Sequence, residues 1–350
     1  MTNTIKKILH RINSESVNRI TGFVIGNTAN VFKPSSFYPI PIRITDRIIY
    51  GGVIVNSYDI AKKIAAMVDG QVDYIFIDAE SKIKKNIRDN DQDNNIETAT
   101  RKIISKSTII TYKGNDLAAE TVDFMLSQLI HSVYGSNVAI IGCGNLGSKI
   151  ALKLVERGAH VKVYRRDSKN LKKIVAGLNQ IKSKYTPATI KLSNNITGAC
   201  RNADAIIATA TSQNLVDKKH LAHFKGGKSP VLIDVGKGCF SKNLSNSNNH
   251  NIYRADISIV QKKYFSALIE TRLHYSKSIG RRTLTDKKIG DIHLASLGLL
   301  GRNGEVIVDD INKPSQIIGI ADGKGSLIKN TDKYRKILDK VSSLLNLNSI

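Results

Sequence analysis

The chain has 350 residues, of which 41% are hydrophobic and 23% are charged. This composition is that of a globular protein and excludes a disordered chain, and the length is enough for two domains. The 53 basic and 29 acidic residues give a net charge of +24. The lysines are spread along the chain without a zinc finger, an RNA-binding aromatic motif or an arginine-rich tail. We therefore expect the charge to reflect general composition, and nucleic acid is not an expected partner.

The sequence shows no sign of a membrane segment or a metal site. Residues 1–17 are interrupted by charged side chains, so they lack the apolar centre of a secretory signal. No run reaches the roughly 18 apolar residues that span a bilayer. Three cysteines without metal-ligand spacing are interpreted as packing residues: Cys143, Cys200 and Cys239. A cytoplasmic protein without a membrane partner or a metal is expected.

The first 116 residues are predicted to form a small α/β domain. Apolar runs indicate strands at 22–25 and 74–77, with a helix at about 59–68 between them. A polar stretch at 88–95 is typical of a surface loop. A connector helix within 117–136 then leads into the next domain.

Residues 137–270 carry the clearest pattern. An apolar run at 138–141 precedes the segment Gly142-Cys143-Gly144-Asn145-Leu146-Gly147, and helical periodicity follows at 148–157. A second strand is predicted at 161–164, and further strands alternate with helices up to residue 254. This alternation predicts a doubly wound parallel sheet, the Rossmann architecture, covered by helices on both faces.

The glycine-rich segment is predicted to hold the diphosphate of a dinucleotide. Gly142 permits the sharp exit from the strand, Gly144 lets the backbone approach the diphosphate, and Gly147 lets the helix pack against the sheet. The amides of Asn145 and Leu146 open the helix, where the backbone N–H groups and the helix dipole favour an anion.

The end of the second strand predicts the choice of cofactor. NAD-binding proteins usually place a carboxylate there, whereas the 2′-phosphate of NADP needs cations. The chain has Arg165 and Arg166 at this point, so we expect NADP in preference to NAD. The alternative is that the two arginines belong to the general basic surface.

Two later strand ends are expected to contact the nicotinamide half of the cofactor. In open α/β sheets, ligands lie beyond the carboxyl ends of the strands. The residues chosen for these contacts are Thr211, Val235 and Gly236, and Thr209 in the same loop as Thr211 is a further predicted cofactor-binding residue. A purely structural role is the alternative for each.

Residues 271–350 are expected to form an extension that returns to the cleft or to the N-terminal domain. Two β-branched runs at 306–308 and 317–320 suggest a hairpin, and 334–347 suggests an amphipathic terminal helix. The glycines at 298–301 and 323–325 fit hairpin turns or a flap over the cleft.

The order of these elements resembles the group of shikimate dehydrogenases and glutamyl-tRNA reductases. Similar segments are Ala208-Thr209-Ala210-Thr211-Ser212, 231–236 and Arg165-Arg166, and 22–27 resembles the opening strand of shikimate dehydrogenases. The resemblance implies a substrate domain ahead of an NADP-binding Rossmann domain. It implies Ser35 and Ser36 as substrate-carboxylate ligands, Lys82 as a catalytic lysine, and Asp116 of Asn115-Asp116 as a catalytic aspartate.

The sequence also departs from that group. The Pro-His-Lys motif around the lysine is absent, and no cysteine precedes Cys143, so thioester chemistry on glutamyl-tRNA is not expected. Proton transfer by a lysine beside a carboxylate is sound chemistry for hydride transfer at an alcohol carbon. Groups that compete for this role are Lys113, His274 and His293.

The combined hypothesis is an NADP(H)-dependent oxidoreductase that transfers a hydride to or from a small polar metabolite bound between two domains. One alternative is a non-catalytic NADP(H)-binding sensor or regulatory protein. A weaker alternative is a nucleic-acid-binding protein that uses the net charge. A homodimer is compatible with the sequence.

Overall fold

The computed structural model describes residues 1–28, 37–83, 95–221, 229–236, 238–245, 251–279, 287–329 and 332–346. The chain divides into two compact units, Met1–Lys263 and Tyr264–Ile350. The first unit contains two α/β sheets, and the second contains a smaller sheet. Among the described helices, none combines the length and apolar character needed to cross a membrane.

The N-terminal sheet has five strands in the order β2-β3-β1-β4-β5. All neighbours pair in parallel except β2 and β3, which form an antiparallel edge. The strands are β1 (Ile20–Asn27), β2 (Phe37–Ile44), β3 (Ile48–Val55), β4 (Tyr74–Asp78) and β5 (Thr108–Tyr112), and the helices are α1 (Thr2–Ser14), α2 (Tyr58–Val68) and α3 (Ile96–Arg101). The apolar faces of these helices pack with the sheet in one buried cluster, which fixes the sheet edge that later forms the site.

The second sheet of this unit has six strands, all parallel, in the order β11-β10-β9-β6-β7-β8. The strands are β6 (Asn137–Ile141), β7 (His160–Tyr164), β8 (Ile190–Leu192), β9 (Ala205–Ala208), β10 (Val231–Asp234) and β11 (Ile252–Arg254). The helices are α4 (Gly114–Leu129), α5 (Asn145–Glu156), α6 (Ser168–Ile181), α7 (Ile196–Cys200), α8 (Lys218–Leu221) and α9 (Lys242–Ser245). Successive strands are added on one side of β6 up to β8 and on its other side from β9 onwards, so the strand order reverses between β6 and β9, which is the switch point of a doubly wound sheet. The predicted fold class is confirmed.

The second unit contains a four-stranded sheet in the order β12-β13-β14-β15. Its elements are β12 (Lys288–Ile289), β13 (Ile292–Ser296), β14 (Val306–Val308), β15 (Ile317–Ile320) and α11 (Asp332–Leu344), and α10 (Ser258–Leu273) leads into it. Strands β14 and β15 form the expected antiparallel hairpin, but β13 pairs with β14 in parallel. Val341 of α11 is fully buried against the sheet, so the terminal helix completes a small core.

The hairpin of β2 and β3 was not expected from the sequence. Strand β2 contains Pro39 and Pro41, and proline is confined to edge strands because it cannot donate to a ladder. The strand does lie at an edge, and its pairing shifts register between Ile40 and Arg43. The domain boundaries proposed from the sequence stay a prediction.

Two glycines give opposite expectations for stability. A Cβ on Gly52 in β3 would lie 2.2 Å from the carbonyl oxygen of Val24 on the neighbouring strand, whereas a Cβ on Gly177 in α6 would meet nothing within 4 Å. Gly52→Ala should lower the free energy of unfolding by about 1–3 kcal/mol through overpacking. Gly177→Ala should raise it by about 0.5–1 kcal/mol through helix propensity. Urea unfolding followed by circular dichroism measures both, and equal effects would contradict this account.

Candidate functional site

The turn between β6 and α5 is crowded in a way that only glycine satisfies. Gly142 has φ of +104°, and a Cβ there would lie 2.4 Å from the backbone nitrogen of Ala210. A Cβ on Gly147 would lie 2.7 Å from the carbonyl oxygen of Gly142. A Cβ on Gly144 would meet nothing within 4 Å, so the backbone there is open to a ligand. The geometry of the turn fits the three roles expected of these glycines, and the binding of a diphosphate there stays a prediction.

A first cavity of about 780 Å³ opens beside this turn. It lies at the carboxyl ends of β6 and β7, where a parallel sheet binds its ligands. Six of the predicted cofactor-binding residues line it: Gly142, Gly144, Arg165, Arg166, Thr209 and Thr211. The cavity is therefore large enough and suitably placed for half of a dinucleotide.

Both arginines at the end of β7 keep N–H hydrogen-bond donors that are available to a ligand. Arg165 Nη1 donates to the carbonyl oxygen of Cys143 at 3.3 Å, and Arg166 Nη2 lies 3.3 Å from the hydroxyl oxygen of Ser212. A guanidinium has five N–H donors, so one contact leaves most of them for a ligand. Asp167 accepts the N–H of Asn170 and caps α6. This hydrogen bond lowers the pKa of Asp167, which stays an anion beside the cavity.

The remaining predicted cofactor residues lie in different places. Asn145 Oδ1 accepts a hydrogen bond of 3.1 Å from Asn115 Nδ2, which joins the turn to the N-terminal sheet. Leu146 and Val235 line a second cavity. A Cβ on Gly236 would lie 1.9 Å from the carbonyl oxygen of Ala210, so close packing alone requires this glycine. Its contact with the cofactor stays a prediction.

The second cavity, of about 660 Å³, lies where the carboxyl ends of the two sheets of the first unit face each other. Its lining includes the last residues of β1, β4, β5 and β11, which are Asn27, Asp78, Tyr112 and Arg254. Lys82 also lines it. Val235, one of the predicted nicotinamide contacts, and Lys82, the predicted catalytic lysine, therefore both line this cavity.

The two predicted catalytic side chains do not contact each other. Lys82 Nζ lies 2.7 Å from Asp78 Oδ2 and 3.0 Å from Glu80 Oε2. Asp116 instead pairs with Lys113, at 2.7 Å, and with Lys149. The expectation of a direct Lys82–Asp116 pair is therefore corrected.

Lys149 connects Asp116 indirectly to Lys82, because it contacts both Asp116 and Glu80, and Glu80 pairs with Lys82. Its Nζ lies 3.1 Å from Glu80 Oε1 and also contacts Asp116 Oδ1. Burial alone would raise the pKa of Glu80, but the N–H of Asn115 and the charges of Lys82 and Lys149 hold it below its usual value. Burial alone would also raise the pKa of Asp116, but its contacts with Lys113 and Lys149 lower it. Glu80 and Asp116 are thus kept ionised within a network of alternating charges.

The site includes residues that the sequence analysis did not name. Asn27 and Asp78 end parallel strands, so the rule that ligands lie beyond carboxyl strand ends could have found them. Gln261 follows no such signal, since it reaches the cavity from α10, where its Oε1 accepts from the Tyr50 hydroxyl at 3.3 Å. Tyr112 is buried, and burial raises its pKa well above the usual value.

The groups that compete with Lys82 for the proton-transfer role lie in other parts of the structure. His274 and His293 belong to the second unit, and Lys113 contacts Asp116 at the start of α4. Ser35 and Ser36 lie outside the described residues.

Glu80 should make stability depend on pH. Folding lowers its pKa, so the ionised carboxyl stabilises the fold above the unfolded value of about 4.3, and this contribution is lost as pH falls through the folded value. Glu80→Gln should cost about 1–3 kcal/mol at neutral pH. The difference from the natural protein in free energy of unfolding should shrink as pH falls below about 4.3. Urea unfolding across pH measures it, with exposed Glu156→Gln as the control, and a constant difference would argue against the ionised role.

Residues 125–256 match the family model described as shikimate / quinate 5-dehydrogenase. Glycerol-3-phosphate dehydrogenase [NAD(P)+] of Clostridium botulinum is 29% identical over 29% of this chain and 32% of its own length. Glutamyl-tRNA reductase of Caldivirga maquilingensis is 26% identical over 61% of this chain and 52% of its own length. The chain thus spans about a third and about half of these two curated relatives.

Among solved structures, glutamyl-tRNA reductase from Methanopyrus kandleri has a TM-score of 0.35 and 12% identity, over 44% of this chain and 39% of its own. The match to residues 125–256 coincides with the six-stranded sheet and its glycine turn. The family model and both curated relatives are described as dehydrogenases or reductases. The chain contains a Rossmann-type parallel sheet and resembles shikimate dehydrogenases and glutamyl-tRNA reductases.

Proposed function

We propose that the protein is an NADP(H)-dependent oxidoreductase that acts on a small polar metabolite bound in the second cavity. The observation that carries this proposal is the glycine turn at the switch point, with two arginines at the next strand end on the same cavity. A dinucleotide held there would run from the first cavity towards Leu146 and Val235 of the second. The substrate would then meet the nicotinamide among the residues at the ends of the N-terminal strands.

The residues of the turn fit the cofactor. Gly144 and the N–H groups at the start of α5 would hold the diphosphate, because that backbone is open and the helix dipole favours an anion. Thr209 Oγ1 donates to the carbonyl oxygen of Gly142 at 2.6 Å, so its hydroxyl shapes the turn. Arg165 and Arg166 would bind the 2′-phosphate with their free donors.

Lys82 is proposed to move the proton. The nicotinamide cofactor, when bound, supplies or accepts the hydride. Reduction of a carbonyl needs a proton at its oxygen, and oxidation of an alcohol releases one; Lys82 Nζ would give it in the first case and take it in the second. Asp78 and Glu80 fix the direction of Nζ. Asp116 would contribute to the position of Lys82 only indirectly, through its contact with Lys149 and the contact of Lys149 with Glu80.

Arg165→Gln combined with Arg166→Gln should weaken NADPH binding by at least about tenfold, because two charge-assisted contacts to the 2′-phosphate are lost. NADH, which lacks that phosphate, should lose much less. Titration of cofactor fluorescence measures both constants. Arg201→Gln, an exposed arginine of the same domain, is the control. Equal losses for the two cofactors would remove the 2′-phosphate assignment.

Lys82→Met should lower kcat by about 10²–10⁴-fold, the usual contribution of a general acid or base, while NADPH binding is unchanged. Turnover is followed by the absorbance of reduced nicotinamide with a panel of hydroxy acids, polyols and amino acids. Lys113→Met removes a lysine from the same neighbourhood that pairs only with Asp116 among the described residues, and it should retain most activity. Full turnover of the Lys82 variant would discard the proton-transfer role. Tight NADPH binding without any turnover of the natural protein would favour the sensor alternative.

A further inference from the structure

Asn27 lines the second cavity and carries a buried, unsatisfied oxygen. The residue is 5% exposed, and its Oδ1 has no hydrogen-bond partner among the described residues. The orientation of the amide is fixed from the other side, because Nδ2 donates to the carbonyl oxygens of Asp78 at 3.1 Å and Glu80 at 2.6 Å. A flipped amide would set an oxygen against two carbonyl oxygens. A buried acceptor without a donor costs free energy, so this position is suited to a donor from a ligand.

Arg43 presents a guanidinium without a direct partner at the same cavity. It is half-buried on the edge strand β2, and its side chain forms no hydrogen bond or ion pair within the described part of the chain. The nearby carboxylate of Asp256 feels its charge, but the two oxygens of Asp256 accept from the N–H and the hydroxyl of Ser258, each at 2.9 Å. A half-buried guanidinium without a partner is stabilised by an anion.

A second free cation lies at the end of β11. Arg254 is exposed and lines the cavity, and its side chain has no hydrogen bond or ion pair with any described residue. Lys82 differs, since Asp78 and Glu80 neutralise it. The positive charge that the cavity offers to a ligand therefore comes from the two arginines and not from the lysine.

We propose that the second cavity binds a ligand with an oxyanion, held by Arg43 and Arg254, and with a separate hydrogen-bond donor for Asn27 Oδ1. This inference rests on the proposed function, because it names the class of substrate for the same cleft. A carboxylate and a phosphate offer the same pair of oxygens to a guanidinium. A cationic amine would be repelled by the arginines, and a neutral alcohol would leave them unpaired.

The test is isothermal titration calorimetry of the full chain saturated with NADPH, so that the first cavity is occupied and its arginines do not bind the probes. The probes are succinate, inorganic phosphate and the uncharged succinamide. At least one anion should bind saturably, and succinamide should not. Arg43→Gln should weaken anion binding at least about tenfold. Arg43→Lys should recover part of it, because the charge remains but the fork of donors is lost.

Arg47→Gln is the matched control, since Arg47 is an exposed arginine in the turn of the same hairpin. It should leave binding unchanged. Whichever of succinate and inorganic phosphate binds more tightly identifies the oxyanion of the ligand as a carboxylate or a phosphate. Saturable binding of neither anion, binding that Arg43→Gln does not change, or equal binding of succinamide would overturn the anion site.

The donor is tested with matched probes on the natural protein. Malate adds one hydroxyl to succinate, and glycerol phosphate adds hydroxyls to a phosphate, so one of these should bind more tightly than its partner. If neither hydroxyl improves binding, the role of Asn27 is wrong.

Failure of the proposed function would instead appear as a lack of NADPH binding. The titration would then be repeated on the Arg165→Gln, Arg166→Gln variant. Anion binding that still depends on Arg43 in this variant would support the anion site even though the oxidoreductase proposal had failed.

Discussion

The structure of the site depends on the close contact between the end of β6 and the residues that follow β9. Gly142 touches the backbone of Ala210 and accepts the hydroxyl of Thr209, while Gly147 packs on the Gly142 carbonyl. These contacts leave no room for a side chain at either glycine, and they hold the first turn of α5 open at Gly144. Because backbone atoms make most of these contacts, the cradle is formed by the fold itself before any ligand arrives.

The same helix also ties this cradle to the N-terminal sheet. Helices α4 and α5 face each other, and three basic side chains, two on α5 and one at its C-cap, pair with carboxylates of α4: Lys149 with Asp116, Lys153 with Glu120 and Arg157 with Asp123. Exposed pairs of this kind contribute little singly. The first of them differs, because Lys149 also reaches Glu80 beside Lys82. Rotation of α5 would therefore disturb the diphosphate cradle and the charge network around Lys82 together.

Local patterns predicted the Rossmann sheet well, because a strand, three glycines, a helix and a second strand each have their own sequence signal. The edge strand β2 escaped prediction because its prolines argue against a strand unless its position at the edge is known. The first cavity lies beside the turn where the same local rules predict a cofactor. The second cavity was not predicted by these rules, since Arg43, Arg254 and Gln261 come from a hairpin, a strand end and a helix that only the tertiary fold brings together.

The charge network explains why Lys82 and Asp116 could be named from the sequence while their ion-pair partners could not. Asp116 lies in the first turn of α4 and could face Lys82 or α5 with equal local justification. Lys149, near the start of α5, contacts Asp116 on the α5 side. Lys82 instead pairs with Asp78 and shares Glu80 with Lys149. Because carboxylates pair with Lys82 in this way, the proposed anionic ligand is left to Arg43 and Arg254.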